Sequence, residues 1–130
     1  MSRLRALPIV LVVSARPNRA AELAASEKEL ARIVRVISEK FDPERIVLFG
    51  SRAEGRAAPD SDADLVVVMR STLPYYERVA DVHGALWPYD LPLDLFVFTP
   101  EEAAPLEMEP FSFIGEILRT GKVLYRKRAA

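Results

Sequence analysis

Three aspartates and a glycine–serine pair are the residues whose types and spacing point to chemistry. Gly50-Ser51 follows the apolar run Arg45-Ile-Val-Leu-Phe49, and ten residues later Asp62-Ala63-Asp64 opens a second apolar run, Leu65-Val-Val-Val68. A β-rich run, a tight turn, a polar loop and a second β-rich run predict a strand–loop–strand unit. Strand side chains alternate faces, so Asp62 and Asp64 project to one side. Neighbouring carboxylates repel unless a cation lies between them, and a ligand set made only of oxygen suits Mg²⁺. The loop from Gly50-Ser51 to the carboxylates could hold phosphates that share the metal. A third candidate is Asp94 in Leu93-Asp94-Leu-Phe-Val-Phe98. A buried, unpaired acid in such a strand is costly. Either Asp94 faces solvent at the strand's start, or it faces Asp62 and Asp64 and completes a three-carboxylate metal site. Alternation puts it on the face of Phe96 and Phe98, which fits a residue packed into the domain.

The elements that must position these groups follow from periodicity. Ser26 with Glu29 reads as a capping box, and Leu30, Ile33, Val34, Ile37 and Phe41 repeat at the spacing of one buried helix face. Arg32, Arg35 and Lys40 fall off that stripe, as a solvated face does. Asp42-Pro43 ends the helix, because the residue before proline avoids helical geometry. A second helix starts after Ser71, Thr72 and Pro74; Tyr75, Val79, Val82 and Leu86 mark its face and Pro88 its end. Tyr75 and Tyr76 at its start are read as packing residues, with contact to a base or partner as the alternative. His83 is the only histidine, and with no cysteine a histidine metal site is not expected. Thr99-Pro-Glu-Glu102 is a further capping box whose helix Pro105 should keep short. Phe111, Ile114, Ile117 and Leu118 predict a last amphipathic helix closed by Gly121 in the C-cap role, with Lys122–Tyr125 as a terminal strand.

The chain's 130 residues suit one domain with a proper core. Eighteen basic against nineteen acidic residues leave a net charge of −1, so no direct nucleic-acid binding is expected. The absence of cysteine excludes disulfides and thiolate metal sites and fits a reducing compartment. No run is long enough to span a bilayer. Leu7-Pro-Ile-Val-Leu-Val-Val13 behind Arg3 and Arg5 superficially looks like a signal peptide; its short apolar core, Pro8, and the arginines 16 and 19 argue against that. A loosely attached strand or tail is the reading adopted. The expected organisation is an N-terminal extension over 1–25, one domain over 26–126 and a solvated tail over 127–130.

Gly-Ser, ten residues, then Asp-x-Asp resembles the nucleotidyltransferase signature, and the flanks Phe49-Gly50-Ser51-Arg52-Ala53-Glu54-Gly55 and Ser61-Asp62-Ala63-Asp64-Leu65 fit it too. Each element alone is weak, since Gly-Ser and Asp are common turn formers; their order makes the signal specific. In so short a chain it resembles the minimal nucleotidyltransferase (MNT) family of the polymerase-β-like superfamily, over Ser26 to Arg126. The resemblance implies an α+β fold, a mixed sheet flanked by helices. It implies two Mg²⁺ ions with Asp62 and Asp64 bridging them, and Asp94 on the ion nearest the attacking hydroxyl. Gly50 and Ser51 would contact the β and γ phosphates of ATP, and Arg52 would either neutralise phosphate or be structural. It implies a cytoplasmic enzyme that transfers AMP to a tyrosine of a cognate HEPN-domain toxin and so acts as antitoxin. The alternatives are a transferase for a small molecule or RNA end, and a toxin-binding protein without catalysis.

Overall fold

The computed structural model describes residues 18–128. The apolar run over 7–13, read as a loosely attached strand or tail, lies outside them. Helix α1 spans Arg19–Phe41, followed by strands β1 (Arg45–Phe49) and β2 (Ala63–Val68). Then come helix α2 (Tyr75–Leu86), strand β3 (Leu93–Phe98), helices α3 (Pro100–Met108) and α4 (Phe113–Thr120), and strand β4 (Lys122–Arg126). The four strands form one mixed sheet in the order β3-β2-β1-β4. β1 is antiparallel to both neighbours, whereas β2 and β3 run parallel. A parallel pair needs a crossover, and α2 supplies it.

Strand alternation sorts the core into two layers. Ile46, Leu48, Ala63, Leu65, Val67, Leu95 and Val97 face α1 and α2, where Leu30, Ile33, Ile37, Val82 and Leu86 close over them. Val47, Val66 and Val68 point the other way, beneath Ala103 of α3 and Ile117 and Leu118 of α4. Ile33 and Ile37 are fully buried; a side chain of that size contributes about 1.5–3 kcal/mol. Both strand faces are therefore covered, but the second only in part.

Several local expectations change. Ser26 does not cap α1: the helix begins at Arg19, and the Ser26 hydroxyl donates back to the Leu23 carbonyl at 2.9 Å. The chain turns helical from Asn18, as the sequence reads, and the helical run carries through Ser26 instead of starting at it. Asp42 ends α1 with φ 47°, a left-handed conformation. The Thr99–Glu102 capping box is present in full, a motif whose cap alone stabilises by about 1 kcal/mol. Pro105 sits inside α3, which continues to Met108, because losing one N–H in so short a helix does not stop it. Phe111 lies before α4 and is 95 % exposed rather than on its buried face. Gly121 caps α4 with an extended backbone, φ −68°. It is glycine for want of room: a Cβ there would stand 2.7 Å from the Ile117 carbonyl oxygen and crowd Val47.

Candidate functional site

The three aspartates meet at one end of the second sheet face. In the register, Asp64 of β2 lies opposite Asp94 of β3 on one side and opposite Phe49 of β1 on the other. Paired residues on adjacent strands share a face at the ladder spacing of about 4.8 Å. Asp64 and Asp94 therefore project together, on the side of Phe96 and Phe98, as alternation predicted for Asp94. Asp62 stands two residues ahead of Asp64, just before β2, and is exposed, as is Asp94. Asp64 is half-buried. Burial raises its carboxyl above the ordinary value, and the charges of Asp94 and Asp62 push it further the same way.

Among the described residues, none of the three aspartates takes part in an ion pair. Nor is any trio of acidic or histidine side chains gathered into a ready-made ion cage among them. Like charges have no electrostatic reason to close on one another, and the Asp62 and Asp94 side chains are free to turn at the surface. The donor set still fits a hard divalent cation: carboxylate oxygens only, on adjacent backbone positions, with repulsion that a cation would relieve.

Gly50 completes this corner. Its φ of 76° is left-handed, and a Cβ there would collide with Asp64 Oδ2. Glycine is thus required twice, by the turn and by the carboxylate against it. The turn that follows is helix-like: Ala53 and Glu54 N–H groups donate to the Gly50 carbonyl at 3.1 and 3.2 Å, and Arg56 N–H to the Ser51 carbonyl at 2.9 Å. The first N–H groups of such a turn have no partner within it.

Arg52 takes the structural course of the two open to it. Its side chain is 1 % exposed. Nε donates to the Ser61 carbonyl at 3.0 Å, Nη2 to the Pro59 carbonyl at 3.2 Å and Nη1 to the Ser26 hydroxyl at 3.2 Å. Glu27 lies 3.6 Å from Nη1. One guanidinium therefore ties both ends of the 52–61 loop to α1, and phosphate neutralisation by Arg52 is not what this geometry offers. Gly55, with φ 75° and open space around it, relaxes the loop.

Aromatic rings floor the site, which sequence reasoning did not foresee. Phe49 and Phe96 have centroids 5.9 Å apart, and Phe113 meets Phe49 edge-on, also at 5.9 Å. Tyr75 packs on Phe98 at 5.7 Å. Burial raises the Tyr75 phenol above its ordinary value, partly offset by a hydrogen bond with the Val97 backbone, while the Asp94 charge adds to the rise. Phe49 and Phe96 were readable as strand residues; what no local pattern signalled was that Phe113 would come back over β1. His83 is an ordinary helix residue, its Nδ1 2.7 Å from the Tyr89 hydroxyl.

Comparison with known proteins bears on the family and the fold. Residues 28–125 match the family model of the nucleotidyltransferase domain. A candidate nucleotidyltransferase from Sulfolobus solfataricus, solved as a crystal structure, superposes with a TM-score of 0.51 at 23% identity. The match covers 64% of this chain and 75% of that one; at such identity the likeness concerns the fold. No curated protein sequence matches significantly.

Proposed function

The match over residues 28–125 makes the chain a member of the nucleotidyltransferase domain family, and from that premise we propose that it transfers AMP from ATP to a tyrosine hydroxyl of a cognate HEPN-domain toxin, thereby acting as its antitoxin. The observation that carries the transferase part is the placing of Asp64 between Asp94 and Gly50 at one open corner of the sheet. The toxin and the AMP rest on the resemblance to minimal nucleotidyltransferases. The absence of cysteine and a chain without a membrane-length apolar helix among the described residues are compatible with work in the cytoplasm.

In the reaction the acceptor oxygen attacks the α-phosphorus, the bond to the β-phosphate oxygen breaks, and pyrophosphate leaves. Asp94, exposed at the edge strand, is the carboxylate that takes the hydroxyl proton. The Gly50 turn and the Ser51 hydroxyl hold the β and γ phosphates through backbone N–H groups and one O–H donor. Asp62, Asp64 and Asp94 are the residues that would hold two magnesium ions. When bound, these neutralise charge growing on the non-bridging and leaving oxygens. Arg52 keeps the two halves of the site at a fixed separation by tying down the loop between them.

The test is to incubate the chain with ATP, Mg²⁺ and the product of a neighbouring gene for a small helical protein. Mass increments of one AMP on a tyrosine of that protein are expected. Labelled nucleotide on a soluble compound or an RNA end instead would move the acceptor to those classes. Full neutralisation of the toxin in cells by the Asp64→Asn chain would show that binding alone suffices.

A further inference from the structure

A groove of about 650 Å³ runs on from the Gly50 turn, away from Asp94, between that turn, α4 and the start of β4. Phe49, Gly50, Phe113, Ile117 and Gly121 form its walls, with Glu54, Glu116 and Lys122 at the rim. Its size is that of a small-molecule site. We propose that this groove takes the nucleobase of the donor nucleotide, with Phe113 as the platform on which the base stacks. The inference rests on the transferase reading above and adds to it the location of the base and the residue that grips it.

Three observations lead there. Phe113 is 62 % exposed yet held by its edge-on contact with Phe49, so a large flat ring is presented in a fixed place. Phe49 is the register partner of Asp64, which sets the groove directly beside the carboxylate that the reaction needs. The rim charges then discriminate between parts of the nucleotide. Glu54 is engaged by Arg56 at 2.8 Å, so Glu116 is the rim carboxylate outside any ion pair among the described residues; a polyphosphate has the Gly50–Ser51 turn instead. Glu116 can accept a hydrogen bond from the exocyclic amine of an adenine, guanine or cytosine, while uracil offers no such group. Asp94, on the far edge strand, lies on the other side of Asp64 from the groove; the acceptor therefore approaches from there, and the donor's base has the Gly50 side to itself.

The experiment is calorimetric titration of the whole chain, in the presence of Mg²⁺, with ATP and separately with inorganic tripolyphosphate. Stacking on an aromatic side chain is a term of about 1–3 kcal/mol per base, so Phe113→Ala is expected to weaken ATP about tenfold or more. Tripolyphosphate binding stays unchanged. Phe113→Leu, which keeps an apolar contact with Phe49, should weaken ATP like the alanine variant, and Phe113→Trp should retain it. Equal loss of ATP and tripolyphosphate, or full recovery of ATP binding in the leucine variant, would overturn the proposal in favour of a packing role. Unchanged ATP binding with impaired transfer in Phe113→Ala would overturn it in favour of an acceptor groove. A wild-type chain that binds neither ligand defeats the transferase reading itself, and this inference with it.

Discussion

The second face of the sheet has two ends built on opposite terms. At one, Val47, Val66 and Val68 lie under Ala103, Ile117 and Leu118, and the two most buried charges beside them are paired. Arg45, the register partner of Val68, grips the Glu107 carboxylate. Arg78, buried, holds Glu102 through bonds of 2.6 and 3.1 Å and the Val97 carbonyl at 3.2 Å. At the other end, four residues along the same strands, Asp64 and Asp94 stand side by side and take part in no ion pair among the described residues. The difference separates stability from chemistry. Charges at the covered end are satisfied by the fold, while those at the open end keep a repulsion that only a bound cation would offset.

That contrast predicts substitutions of opposite sign. Asp64→Asn at the open end removes a carboxylate that would hold the metal and should lower nucleotidyl transfer about a thousandfold or more, several kcal/mol of charge stabilisation being at stake. The same change removes the partly buried charge whose desolvation, with repulsion from Asp94 and Asp62, raises the Asp64 carboxyl, so the melting temperature of the ligand-free chain should rise. Glu107→Gln at the covered end should do the reverse, lowering the melting temperature and leaving transfer near wild type. A destabilised Asp64→Asn chain would break the comparison.

Arg52 joins the two regimes, being a fully committed charge in the service of the open end. Replacing it by methionine leaves the Pro59 and Ser61 carbonyls and the Ser26 hydroxyl short of a donor in a buried setting. The expected loss is about 3 kcal/mol of stability, measurable by urea unfolding. Because the loop joins Gly50 to Asp62, transfer should fall further than the unfolded fraction explains. Transfer that falls only in proportion to the unfolded fraction would remove Arg52 from the site's positioning.

Much of this corner was legible because it is local. The turn, the Asp-x-Asp spacing and the alternation that turns Asp94 toward Phe96 are all properties of single strands, and β2 and β3 then had only to pair in register. What was not legible depended on contacts far apart in sequence. Arg52 reads as a phosphate ligand or a structural group until Ser26 of α1 is seen beside it. Phe113, off the apolar stripe of its helix, shows its place only once α4 folds over β1. Ser26 failed as a cap because the helical run that begins at Arg19 passes through it. The family match over 28–125 leaves residues 18–27 outside, although they continue α1 without a break.

Gly50→Ala tests how tightly the turn and the carboxylate are fitted. The left-handed φ alone costs roughly 1–2 kcal/mol for a residue with a Cβ, and the new methyl meets Asp64 Oδ2 as well. Stability should fall by about 2 kcal/mol, and adding Asp64→Ala to Gly50→Ala should recover part of it by vacating that space. Full additivity of the two changes would mean that Gly50 answers to the turn only.

The smallest effect is in acid. Hydrogen bonds from Arg45 and Arg78 hold the Glu107 and Glu102 carboxyls below the ordinary value of 4.5. A lowered folded-state value contributes stability that is complete above the unfolded value and is lost as pH falls through the folded one. The covered end therefore loosens below about pH 4.5. Asp64 has the opposite sign: its raised folded-state value means that the folded chain takes up that proton before the unfolded one, so falling pH relieves the open end while it loosens the covered one. Melting temperatures of wild type and Asp64→Asn should accordingly differ most at neutral pH and converge as the carboxyl protonates. If the two curves stay parallel down to acid, the charge on Asp64 is not what sets the open end apart.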